Sequence, residues 1–114
     1  MSQAIQLSPS DPHLFFFQGA IVMPHLLRGE YRDAAEAGRK AIELNPWFSS
    51  AFKGHLAALG HLGSGQEATS VLARLLKLEP RFTVRDAIRR SPMSLPDDVA
   101  RYAEGLRRAG LPEQ

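Results

Sequence analysis

Pro12, Pro46 and Pro80 stand at equal intervals, and each interval carries the same ordered marks: a glycine, an alanine, and a leucine just before the next proline. Sliding the chain along itself by one interval lays Gly29 on Gly63, Ala34 on Ala68, Leu44 on Leu78 and Phe48 on Phe82. Asp33 falls on Glu67, Lys40 on Arg74 and Ile42 on Leu76. Helix geometry explains the order of these marks. A residue before proline is pushed out of the α region, so Asn45-Pro46 and Glu79-Pro80 end one helix and let the next begin. Gly29 and Gly63 supply the left-handed residue that terminates a helix. Ala34 and Ala68 are small where two antiparallel helices approach closely. Each period therefore predicts a helix, a tight turn and a second helix.

The spacing predicts helices over residues 13 to 28, 31 to 44, 48 to 62 and 66 to 78, then a shorter one over 82 to 90 and a last one over 96 to 109. Asp11 and Pro12 read as the cap and first turn of the first helix, and Pro24 inside it predicts a kink. Pro96-Asp97-Asp98 opens the last helix with charge that suits its dipole, and Gly110 ends it. Adjacent acids diverge on a helix, so Asp97 and Asp98 do not read as a catalytic pair. Ala4-Ile5-Gln6-Leu7-Ser8-Pro9 mirrors Ala41 to Pro46, as the tail of an earlier unit would. The domain reading is a single unit over 1–114: a remnant at 4–9, one repeat at 13–46, a second at 47–80, and capping helices at 81–110.

A chain of 114 residues can bury roughly 65% of its unfolded surface, enough for a modest core. With no cysteine, disulfides and thiolate metal sites are excluded. Fourteen basic against twelve acidic residues leave a net charge of +2, too little to argue for nucleic acid or a membrane. The longest apolar stretch, Ile21-Val22-Met23, falls far short of the roughly 20 residues a membrane span needs. There is no basic leader before an apolar segment, and the expectation is a cytoplasmic chain.

Gly29-x-Tyr31-x-x-Ala34, Ala41, Leu44-Asn45-Pro46 and Gly63 through Ala68 to Leu78-Glu79-Pro80 resemble the tetratricopeptide repeat family over residues 4 to 82, and the family's repeat length equals the interval between the prolines. More narrowly, Ala58 to Gly63, Arg74 to Thr83 and Arg101 to Pro112 are similar to repeat segments that follow cyclase or winged-helix regulatory domains in soil and root-associated bacteria. The resemblance implies an all-α, right-handed superhelical stack of antiparallel helix pairs with a C-terminal capping pair. Three positions depart from the family pattern. Gln18 stands where a large aromatic is usual, and Val22 and Leu56 stand where glycine is.

Such a stack exposes a concave face lined by the first helix of every pair. The resemblance therefore implies a non-catalytic protein-interaction module holding a peptide or partner helix there. By repeat position its groove residues are Phe16, Met23, Leu27, Trp47, Ser50, Lys53, Ala57 and His61. Lys53 is the best polar candidate, although core packing competes for Met23, Leu27 and Trp47. Some family members clamp a chaperone carboxylate with successive lysines and asparagines. Here only Lys53 falls at such a position, beside Gly19, Met23, Ser50 and Ala57, so that clamp is not expected. Two alternatives stand: homodimerisation through the face bearing Phe15, Phe16 and Phe17, or a regulatory appendage that senses a small ligand.

His55 and His61 are six residues apart, which turns them about 120° from each other on a helix, whereas ligand pairs use spacings of three or four. No metal or cofactor is expected. Nor is there a Gly-x-Ser-x-Gly elbow, a phosphate loop or a nucleophilic cysteine, and the expectation is no enzyme. From Arg81 onward come seven arginines and no lysine. Asp86, Asp97, Asp98, Glu104 and Glu113 dilute them, so they read as the solvated face of the cap.

Overall fold

The computed structural model describes residues 12–91 and 93–114, with side chains from residue 20 onward. The expected remnant at 4–9, the Asp11 cap and the side chains of Phe15, Phe16 and Phe17 lie outside the described residues. The chain is all-α: α1 spans Pro12–Leu27, α2 Tyr31–Leu44, α3 Ser49–Leu62, α4 Gly65–Leu78, α5 Val84–Arg90 and α6 Pro96–Arg108. There is no strand among the described residues. Each boundary falls within two residues of its expected place, and α1 continues through Pro24 to Leu27.

The sequence period is present in the hydrogen bonds themselves. Gly29 (φ +79°) and Gly63 (φ +72°) are both left-handed. After each of them the next N–H reaches back five residues: Glu30 N–H donates to His25 O (2.8 Å) and Ser64 N–H to Leu59 O (3.1 Å). That is the 6→1 bond of a helix end closed by glycine. Ala34 N–H donates to Glu30 O, as Ala68 N–H does to Ser64 O. At the proline turns, Phe48 N–H donates to Asn45 O and Phe82 N–H to Glu79 O.

Alanine and glycine set the packing. Ala34, Ala41 and Ala68 are buried at the interfaces of α2 and α4. A Cβ on Gly38 of α2 would fall 2.5 Å from the His55 Cβ, and one on Gly54 would fall 2.7 Å from a Val22 methyl, so α3 lies close against both α2 and α1. Phe52, Leu56 and Leu59 of α3 are fully buried, and α1, α2, α4 and α6 all pack on this helix.

The C-terminal third does not continue the pattern by α5. Among the described residues α5 packs on α6 alone, while α6 packs along α3 and reaches α1. A Cβ on Gly60 would collide with the Gly105 carbonyl oxygen, and one on Gly105 with the Ala57 oxygen. Two helices can come that close only where both lack side chains. The final residues return to α5, with Val84 N–H donating to Pro112 O (2.9 Å) and Arg85 N–H to Glu113 O (3.0 Å). Thr83 completes that helix start by accepting from Asp86 N–H.

Candidate functional site

The face expected to hold a partner is the side of α1 and α3 that carries Met23, Leu27, Ser50, Lys53, Ala57 and His61. The structure divides it into a covered half and an open half. Ala57 is fully buried beneath α6. His61 stacks flat on Tyr31, ring centroids 4.4 Å apart, and its Nε2–H donates to the Arg101 carbonyl at 2.7 Å. The Arg101 guanidinium in turn donates to Leu27 O at 2.8 Å, supplying a partner for a carbonyl at the end of α1. Leu27 and His61 therefore meet α6 of their own chain. The Phe16 side chain lies outside those described.

Toward the start of α3 the face opens into a cleft of about 240 Å³ between α1, α3, α5 and α6. Met23, Phe82, Ala87 and Met93 make its apolar wall, and Ser50, Lys53, Arg90, Ser91 and Tyr102 bring the polar atoms. The structure thus brings Met23, Ser50 and Lys53 together. Trp47, three residues ahead of Ser50, stands 79% exposed on the α2–α3 turn.

Lys53 sets its ammonium over the Phe82 ring, with Nζ 4.5 Å from the ring centroid, a cation over an aromatic face. It also pairs with Glu79 at 2.7 Å, and Arg90 pairs with the other Glu79 oxygen at 2.9 Å. Burial raises the Glu79 pKa, but hydrogen bonds from Lys53, Ser49 and Arg90 outweigh it and hold the group at about 2. Burial, with the nearby Glu79 charge, pushes the Tyr102 phenol upward, so it is neutral. Tyr102 is 5% exposed and contributes to the lining of the cleft.

Glu79, Arg90 and Tyr102 are absent from the residues expected by repeat position. Glu79 occupies the place of Asn45 in the preceding unit, and that exchange of an amide for an acid was the available signal. Arg90 and Tyr102 lie beyond the last repeat mark, where the period gives no register.

Elsewhere, Arg39 holds α2 to α4 through a two-pronged pair with Glu67, at 2.7 and 2.8 Å. Fully buried His55 lies beside it, Nε2 3.7 Å from Glu67, with neither ring nitrogen hydrogen-bonded. Burial pulls its pKa down to about 4, the Glu67 charge only partly opposing. Among the described residues one group has the spacing to hold a metal ion. His25, Glu30 and Asp33 put their ligand atoms within 4.8 Å of one another on the α1–α2 turn, with His25 Nδ1 2.7 Å from Glu30 Oε1. No helix is long and apolar enough to cross a membrane among the described residues. The chain matches no family model, no curated protein and no solved structure.

Proposed function

We propose that this chain is a non-catalytic interaction module of tetratricopeptide type, and that it docks a peptide segment of a protein partner along the start of α3. Support for the repeat architecture comes from turn and cap hydrogen bonds that recur once in every period, joined to close packing of α1, α2, α3 and α4 in sequence. The observation that carries the docking reading is Trp47. A tryptophan 79% exposed and followed along the helix by Ser50 and Lys53 is the kind of anchor that dominates interface energetics. The partner meets this ridge where α6 leaves the α1/α3 face uncovered. On this reading the chain works in the cytoplasm as a monomer or weak homodimer, without nucleic acid, membrane or cofactor.

Selection of a random-peptide library against the folded protein tests it. Enriched peptides should lose roughly 30-fold or more in affinity on Trp47→Ala, the cost of a hot spot at about 2 kcal/mol, while the melting temperature stays unchanged. Failure to enrich any sequence, or equal binding by the variant, refutes the docking surface.

A further inference from the structure

The cleft behind Lys53 has the features of a small-molecule site in its own right, whether or not a protein docks at Trp47. At about 240 Å³ it lies below the range of drug-sized pockets, roughly 300 to 1,000 Å³. It suits one ring or a short chain. Four separate parts of the fold converge on it: α1 through Met23, α3 through Lys53, the α5 region through Phe82 and Arg90, and α6 through Tyr102. We propose that this cleft binds a small amphipathic carboxylate, its apolar body against Met23 and Phe82 and its head between Lys53, Arg90 and the Tyr102 hydroxyl.

Charge and donor capacity select the anion. Lys53 and Arg90 line the cleft and share one carboxylate, Glu79, so the cluster carries a net positive charge of one. Glu79 takes one Lys53 contact and one Arg90 nitrogen, and an ammonium has three N–H donors and a guanidinium five. Donors therefore remain for a second acceptor. The Tyr102 hydroxyl makes the same point from the opposite wall. Tyr102 lies in the lining of the cleft, and burial keeps its phenol protonated, so its hydroxyl can donate to an acceptor that enters there. A cationic ligand would face two cations, and a purely apolar one would strand the polar donors.

The test is a titration of the intact 15N-labelled chain with phenylacetate and hexanoate, set against phenylacetamide, hexanamide and benzylamine. Saturable shifts are expected at the amides of Ser50, Lys53, Ala87, Ser91 and Tyr102 for at least one acid. The matching amide should bind at least tenfold more weakly, and benzylamine not at all. Tyr102→Phe keeps the ring packing and should weaken the acid several-fold without changing the melting temperature, and Lys53→Gln should weaken it further. No saturable shift with either acid at 10-millimolar scale, shifts that map elsewhere, or an amide that binds as well as its acid overturns the proposal. The peptide-docking reading is tested separately at Trp47, so either result stands without the other.

Discussion

The repeated half of the molecule, α1 to α4, and the C-terminal third, α5 and α6, are held by different devices. In the first, alanines at fixed spacing and two glycines that receive side chains, Gly38 and Gly54, let neighbouring helices approach, and the same glycine and proline turns recur with each period. In the second, one crossing of α3 and α6 depends on two glycines facing each other, Gly60 and Gly105, neither of which belongs to the period. A recurring contact can be read by sliding the chain along itself. A contact made once cannot, because nothing in the sequence pairs its two ends.

The sharpest way to break that contrast is Gly105→Val. The new side chain meets backbone oxygen and cannot be relieved by a rotamer change, so the cost should be about 3 kcal/mol or more, the upper end of overpacking. Gly65→Ala is the matched control, since a Cβ there meets nothing within 4 Å. It should be neutral or stabilising by up to about 1 kcal/mol. Denaturant melts of both variants decide the matter, and equal stabilities would refute the close crossing.

Next in size is a pH effect inside the repeated half. His55 folds neutral with its pKa near 4, below the ordinary 6.5. The unfolded chain takes up this proton first as pH falls, so folding weakens progressively from about pH 6.5 to 4, by on the order of 2 to 3 kcal/mol. Glu79 acts lower: its folded pKa of about 2 lies below the ordinary 4.5, so its contribution is full above pH 4.5 and is lost between 4.5 and 2. His55→Leu should abolish the upper slope, and Glu79→Gln should flatten the lower one without removing it, because Arg39 also holds the Glu67 carboxyl below its ordinary range. Stability curves against pH for the two variants separate them, and an unchanged upper slope in His55→Leu would remove the histidine from the account.

The smallest effect belongs to Ala68→Leu, in a repeated contact that has side chains on both sides to adjust. It should cost about 1 to 2 kcal/mol, and an unaltered melting temperature would deny the close approach of α4.

Most of the helix boundaries were legible, because Gly29, Gly63, Asn45-Pro46 and Glu79-Pro80 act through local backbone chemistry that any sequence window contains. The groove was legible only in part. Met23, Ser50 and Lys53 do share a cleft, placed by helical periodicity. Ala57 and His61 lie under α6, whose path is set by the glycine crossing. Arg101 shows the same blindness: among seven arginines it read as one more solvated cation, yet its guanidinium binds the end of α1, 74 residues away. Long-range partnerships of this kind leave no mark near either residue.

That bond has a consequence for how the molecule comes apart. A linear array of repeats shares contacts only between neighbours and loosens from its ends. Here the last long helix grips the first described one through Arg101 and Leu27, with His61 fastened between them. Melting α6 therefore takes a partner away from the end of α1, a coupling between distant helices that a linear array lacks.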